Sequence, residues 1–595
     1  MKTAAASLTL GQINEIKADL NLPADATAAI FDLTESAAAA SALIEQIKAK
    51  TYARRGFTAD RIKLDQDALC GLNTLLSVSP LTGDVISPVG NAAPTTFAAL
   101  VSAVAAAGSG AVIRIPANTT ITFTAQLTLP PGVSIVGGGR VKFVQGFTPV
   151  GPNQADAAMI LASSATENTN GAQVIKYIDF LGNNYQGSGA IYVRARSNVK
   201  VIDCSAHEFN YNFATFNGRN VETDGEATNK ATGNGVYNCE STGCCVWVGA
   251  KTNPLGYASG IVQFGSQDGF EIVGCVLIAK GRGATNNGYP VKFYRNGYSD
   301  NTRILNNTIR KDANDGTPGF FIFTCELWGE KNLTISGNYM EGRLDINGAK
   351  KTATSAFALT VTSNVFGTNT LPTNAANGGA IGLELHLDAT APSDVLIAHN
   401  YCRNSWHFLF MYQRSGMGTN KWARFYIFNN ACLNTRLIEW TIATPEGGCE
   451  DWWMWRNTMR RESTSSAMNS GIQLPQVGTN ARIYALDNII AGFSAGAISC
   501  AKAATVGGVA NGLTIDTLVT AGNYLFGNGA NSVDLAVDQT VTPTNATEAN
   551  RIADPIFDAD DTLTKVRNAF QGVVGANLYA GLLGAPEHSG LTYAG

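Results

Sequence analysis

The chain has 595 residues, with 42 Lys and Arg against 46 Asp and Glu, a net charge of −4 and only 15% charged residues. This balance excludes the basic footprint of a nucleic-acid binder. No apolar run is long enough to span a membrane, so neither nucleic acid nor membrane insertion is expected. Sixty-two Gly and 19 Pro suit a turn-rich chain.

The first residues, MKTAAASLTLGQINE, make a poor signal peptide: one Lys, a short apolar stretch, then early polar residues. Leu10, Ile13, Ile16 and Leu20 fall at helical spacing and predict a short helix over 10–22, ending near Pro23. Thr34 is placed to cap a second helix over 35–50, with Leu43, Ile44 and Ile47 as its apolar stripe. Residues 81–94 are rich in Gly, Pro, Asn and Asp and read as a linker. The head, residues 1–90, is too small and too Ala-rich for a large core of its own.

From residue 200 onward one short phrase recurs: VIDCSA, VYNCES, IVGCVL, LNNTI, ISGNYM, TSNVF, AHNYC, FNNAC, WRNTM, LDNII. Its anchors are Cys204, Cys239, Cys275, Asn307, Asn338, Asn364, Asn400, Asn430, Asn457 and Asn488, spaced 26 to 36 residues apart. The phrase recurs weakly at Phe180 and more clearly at Asn523. A period of this size is the mark of a solenoid. Alternating apolar runs precede each anchor, as in Leu333-Thr334-Ile335 and Phe425-Tyr426-Ile427, and read as half-buried strands. Apolar residues return after it, so each anchor marks a corner between two strands. Asn tolerates the left-handed conformation such a corner often needs, and stacked Asn side chains can hydrogen-bond up the column. A third strand lies between anchors: CVWVGA, PVKFY, GFFIFTCE, GRLDIN, AIGLELHLD, HFLFMY, RLIEWTI, GIQL, AISC. Three strands and three turns per coil make a parallel β-helix, whereas jelly rolls and propellers lack one fixed corner residue per turn.

The chain has 11 Cys, an odd number. Several occupy anchor or wall positions and read as buried free thiols. No zinc spacing appears, since Cys244 and Cys245 are adjacent. Asp558, Asp560 and Asp561 lack the Gly and distal Glu of an EF-hand. The glycines at 137–139 lead into a strand and imply no phosphate cradle. No metal or cofactor is expected, and the thiols suit folding in a reducing cytosol.

The Asn-capped coils, with the opening segment TTFAALVSAVAAAGSGAVIRIPANTTITFTAQLTLPPGVSIVGGG and the closing segment ADPIFDADDTLTKVRNAFQGVVGA, resemble the pectate-lyase-like right-handed parallel β-helix superfamily. The resemblance covers roughly 92–580. It implies an all-β, right-handed, single-stranded β-helix with a small helical N-terminal head. An entry helix at about 95–107 comes first, followed by a first coil with an IPAN-type turn. The body is then 91–580, with a C-terminal tail at 581–595. A helical head before a β-helix resembles the attachment region of phage tailspikes. That likeness implies a polysaccharide depolymerase or adhesin in the virion tail. It would be a homotrimer, docked through residues 1–90 to a phage tail or baseplate protein, and would act on a bacterial surface polysaccharide. A secreted pectinase is disfavoured by the lack of an export signal.

Alternation within the third strands sorts inward from outward residues. In GLELHLD, Leu383, Leu385 and Leu387 point in, so Glu384, His386 and Asp388 point out. In GRLDIN, Arg343 and Asp345 point out. Glu439 points out of RLIEWTI, whose Trp440 is core, and Glu326 points out of GFFIFTCE. Glu326, Asp345, Glu384 and Glu439 therefore share one outer face as catalytic candidates, Glu384 foremost. Carboxylates one coil apart stand about 5 Å apart, near the separation of a retaining glycosidase. Those two coils apart stand about 10 Å apart, near the upper limit for an inverting one. The alternative for acidic residues here is a merely solvated face. Six of the eight Trp lie between Trp406 and Trp455, and aromatic planes suit sugar C–H faces. The binding candidates are His386, Asp388, Arg343, Trp406, His407 and Trp453. Insertions at 367–379 and 415–421 offer groove walls. Two other readings compete with hydrolysis: a lyase using Lys292, Arg343 or Arg456 as base, and a spike that binds without cleaving.

Overall fold

The computed structural model describes residues 93–534, apart from several stretches of which the longer are 245–259, 281–288, 313–322, 368–382, 414–420 and 462–469. The expected head helices, most of the linker, nearly all of both insertions and the closing segment lie outside the described residues. All described residues belong to one of the chain's two units, Thr82–Gly595. Its first element is the entry helix, Phe97–Ala106, where the Thr96 side chain accepts from the Ala99 N–H at 3.3 Å and Leu100 and Val104 are buried.

Beyond it lie strands and one short helical turn, Gln154–Ala157. Each coil sends its third strand to a 14-stranded sheet and the strands flanking its anchor to a 27-stranded one. Neighbours in the 14-stranded sheet are successive coils paired in parallel: Phe323–Trp328 on Arg343–Asn347, then Leu383–Leu387, then His407–Gln413. The fold is a parallel β-helix. Inside it, Phe97, Phe123, Phe143, Phe180 and Phe213 stack from coil to coil, with ring centroids 4.8 to 6.4 Å apart.

The anchors form a buried ladder. Asn364 donates from both its backbone N–H and its Nδ2 to Asn400 Oδ1 at 3.0 Å, and Asn400 repeats this to Asn430. Each Nδ2 also reaches a backbone carbonyl one coil back, as Asn400 does to Val361 at 2.8 Å. The ladder runs from Asn307 to Asn523. At its N-terminal end the Sγ of Cys239 and Cys275 accept the N–H of Cys204 and Cys239 at 3.4 and 3.5 Å. The eight described cysteines are free and buried, and burial pushes the Cys239 and Cys432 thiols well up.

Two expectations need correction. The left-handed residue is not the anchor but the one before it: Asp203, Asn238, Asn306, Ser363, His399, Asn429 and Arg456 all have φ near +50 to +60°. The anchor Asn is selected by its side-chain amide, which caps backbone groups that the corner leaves unpaired. Phe180 is not an anchor either. It registers with Ala206, two residues past Cys204, and so joins the phenylalanine stack.

One corner column holds a charge-bearing group in the core. Parallel bridges link Asp300 to Lys331 and Lys331 to Lys350, which sets Ser299, Glu330 and Ala349 in line, each at most 1% exposed. The Thr302 hydroxyl donates to Glu330 Oε2 at 2.8 Å, while Oε1 is buried with no hydrogen-bond partner among the described residues. Burial pushes this carboxyl up to about 8, against the opposing hydrogen bond from Thr302 and the charge of Lys230.

Candidate functional site on the 14-stranded sheet

Register along this sheet sets one residue per coil into a single outward column: Lys292, Glu326, Asp345, Glu384, Phe410, Glu439. Their strand neighbours Val291, Cys325, Leu344, Leu409 and Ile438 are buried in the coil, so alternation turns Lys292, Glu326, Asp345, Phe410 and Glu439 outward. The column brings together the backbone positions of all four candidate carboxylates. Glu384 and His386 lie on the described strand Leu383–Leu387, but their side chains, like Asp388 and Trp406 altogether, lie outside the described residues.

The face is not merely solvated. Lys292 is 8% exposed and Asp345 5%. Lys292 Nζ pairs directly with Glu326 Oε2 and sits 4.3 Å from the Tyr289 ring centroid and 4.6 Å from that of Phe293. Phe293 in turn stacks on Trp328 at 4.7 Å. Burial pulls the Lys292 ammonium below the usual lysine range, with Glu326 opposing. Burial also pushes the Tyr289 phenol up, and the charges of Glu326 and Asp345 add to it. Asp345 Oδ1 accepts from Asn347 Nδ2 at 3.1 Å. Burial lowers the neighbouring Arg343 guanidinium to about 10, with Asp345 and Tyr289 opposing.

Glu439, two coils beyond Glu384, is differently engaged. Its Oε2 is 2.9 Å from His407 Nδ1 and 3.0 Å from Arg436 Nη1. A carboxylate only accepts, which assigns the proton to Nδ1. Burial would raise the Glu439 pKa, but the His407 hydrogen bond and the charge of Arg436 outweigh it and hold the carboxyl below its ordinary range. Burial keeps His407, 3% exposed, below the usual imidazole value. The His407 ring lies flat on Phe410 at 4.6 Å. Glu439 therefore holds an imidazole and a guanidinium, and Phe410 separates it from the other carboxylates.

Trp453 requires a correction. It belongs to strand Gly448–Trp455 of the 27-stranded sheet, not to the carboxylate face, and its ring is covered by Tyr484 at 4.0 Å. Trp422 and Trp452 are buried in the coil. Tyr289, Trp328, Asn347 and Arg436 join the site without a sequence signal that singles them out, and Lys292 stands out in the sequence only as a lyase base. The signal for Lys292 was present: alternation in PVKFY with Val291 inward turns Lys292 outward.

Further along the same sheet, Glu222 accepts from the phenols of Tyr192 at 2.7 Å and Tyr294 at 2.9 Å. Arg194 and Arg295 stand 3.5 and 3.8 Å from its carboxylate. This clasp pins the segment that follows Asn217 over the sheet. Among the described residues no group of three or more His, Cys, Asp and Glu could hold a metal ion, and no helix is long and apolar enough to cross a membrane.

No family model matches this sequence, and no curated protein matches it either. Solved structures do resemble it. A tailspike protein mutant of E. coli bacteriophage HK620 in complex with pentasaccharide is 12% identical, with TM-score 0.45 over 73% of this chain and 73% of its own. PfbA, a surface adhesin of Streptococcus pneumoniae, is 10% identical, with TM-score 0.40 over 76% of this chain and 90% of its own. The catalytic domain of a GH87 alpha-1,3-glucanase is 12% identical, with TM-score 0.36 over 78% of this chain and 69% of its own.

Proposed function

We propose that the outward column of the 14-stranded sheet is a polysaccharide-cleaving site, and that the chain is a phage tailspike acting on a bacterial capsule or O-antigen. One observation carries this: Glu326, Asp345 and Glu384 occupy successive coils in register, on a face where Asp345 is 5% exposed. Two carboxylates one strand apart repel by roughly 3–4 kcal/mol at an effective dielectric constant near 20. That repulsion between Glu326 and Asp345 costs a purely structural face stability, whereas an acid–base site makes use of it. The preferred reaction is glycosidic hydrolysis. Glu326, paired with the Lys292 ammonium, is the nucleophile, and Asp345 protonates the leaving oxygen. Water then cleaves the glycosyl ester with Asp345 as base. The coil spacing of about 4.8 Å suits this retaining course, and Glu326 with Glu384 at about 10 Å stands at the limit of an inverting one. Glu439 acts by orienting His407.

A second reading is elimination from a uronate, in which a neutral amine takes the ring proton. Burial, which lowers the Lys292 pKa, favours Lys292 as that base. A non-catalytic adhesin is the third. On the tailspike reading, residues 1–90 attach the chain to a phage tail or baseplate protein, the body is a homotrimer, and the location is the virion tail.

The experiment is incubation of the purified protein with a panel of capsular and O-antigen polysaccharides. New reducing ends without ultraviolet-absorbing products support hydrolysis, and unsaturated products support elimination. Binding without fragments overturns both enzymatic readings.

A further inference from the structure

We propose that the outer face of the 27-stranded sheet between Leu396 and Tyr484 is the surface on which copies of this chain pack together. This rests on the self-association in the reading above and names its surface. On this wall the strands Arg303–Leu305, Leu333–Ser336 and Leu359–Thr362 have three or four residues, whereas Lys421–Phe428, Gly448–Trp455 and Thr479–Leu486 have eight each. The wall widens where its chemistry changes. One outward column reads Arg303, Thr334, Thr360 and then Leu396, Tyr426, Trp453, Tyr484. The adjacent column passes from Ser336 and Thr362 to Phe428 and Trp455. Leu396, Tyr426, Phe428, Trp453, Trp455 and Tyr484 are all half-buried. Six partly exposed apolar and aromatic side chains thus meet on one outward face, which a partner surface would cover.

The ring geometry selects the occupant. Trp453 lies against Tyr484 at 4.0 Å and 16°, and Phe428 against Trp455 at 4.6 Å and 21°. The rings cover each other's faces up the coil stack and turn their edges outward. The faces on which a sugar ring would stack are thereby closed, and apolar edges are what this wall presents to a partner.

The rims supply complementarity. Asp394 and Asp451 border the patch on one side. His399 and Arg456 border it on the other, five residues along the same coils. Arg424 and Arg482 alternate with the two aspartates, Arg424 pairing with Asp394 and Arg482 with Asp451. A copy rotated about an axis parallel to the coil stack, at the same height, sets Asp451 against Arg456 of the second copy and Asp394 against its His399. A slip of one coil sets Arg424 or Arg482 against that Arg456. The rims thus favour one register and oppose its neighbours.

The test is mass in solution by light scattering across a concentration series, with circular dichroism to confirm folding. Wild type is expected to assemble. Trp453→Asp should weaken association by about 100-fold or more. Arg456→Asp should weaken it by about tenfold, and adding Asp451→Arg to the same chain should restore most of that loss. If Trp453→Asp does not fold, the charge swap decides alone. A monomeric wild type overturns self-association altogether. Assembly unchanged by Trp453→Asp, or no rescue by the swap, overturns this surface while leaving the homotrimer standing. Lost glycan binding with intact assembly would make the patch a sugar surface instead. Cleavage by wild type, scored separately, keeps the fate of the enzymatic reading distinct.

Discussion

Glu330 offers a quantitative test of the coil interior. Its carboxyl, 1% exposed, is raised from an ordinary 4.5 to about 8, chiefly by burial. The folded state therefore holds a proton that the unfolded chain releases above pH 4.5. Below that pH the protonated group imposes no penalty. As pH rises toward 8, stability falls by about 1.4 kcal/mol per unit. Between pH 5 and 7.5 the loss is about 3 kcal/mol. Glu330→Gln keeps an oxygen for the Thr302 hydroxyl and cannot ionise. The difference in stability between variant and wild type should therefore be under about 1 kcal/mol at pH 5 and grow by about 3 kcal/mol in favour of the variant by pH 7.5. Other carboxylates titrate in both proteins and cancel in the difference. The assay is guanidinium unfolding followed by tryptophan fluorescence at several pH values. A difference that does not change with pH would refute the reasoning.

Three other expectations follow from the geometry. Asn400→Ala removes the acceptor shared by the N–H and Nδ2 of Asn364 and strands the Val361 carbonyl, so unfolding should become easier by about 3–5 kcal/mol, measured by denaturant titration. The eight described cysteines should resist iodoacetamide in the folded protein and react on denaturation, as mass spectrometry of labelled peptides would record. Lys292→Met removes the ammonium beside Glu326 and should lower kcat by about 100-fold, with Lys292→Arg recovering part of it if the role is electrostatic. Failure of Lys292→Arg to recover any activity would favour the amine as a base.

The repeat itself was legible because the anchors do a job that only a few side chains can do. Asn400 must accept two N–H groups and donate to two carbonyls, and that demand fixes one residue per coil. Alternation likewise placed Asp345 and Glu326 outward. It did not reveal which wall a strand joins, and so Trp453 was assigned to the sugar face although it lies on the other sheet. Nor did it show that Glu439 would be occupied, because His407 lies 32 residues away in sequence and meets it only through register. The left-handed residues preceding the anchors escaped notice because Asp203, Ser363, His399 and Arg456 share no chemistry, only a backbone angle. Glu330 gave no sign of burial, since it sits in a polar phrase at a corner where alternation breaks.

If the in-register carboxylates cleave glycan, removing either one must stop release without loosening the substrate. The direct measurement takes whichever polysaccharide the wild type cuts and follows fragment release and binding separately for Asp345→Asn and Glu326→Gln. The account predicts a fall in release of about 1000-fold for each variant, with binding retained. Undiminished release by both variants would contradict it and move the chemistry away from this face.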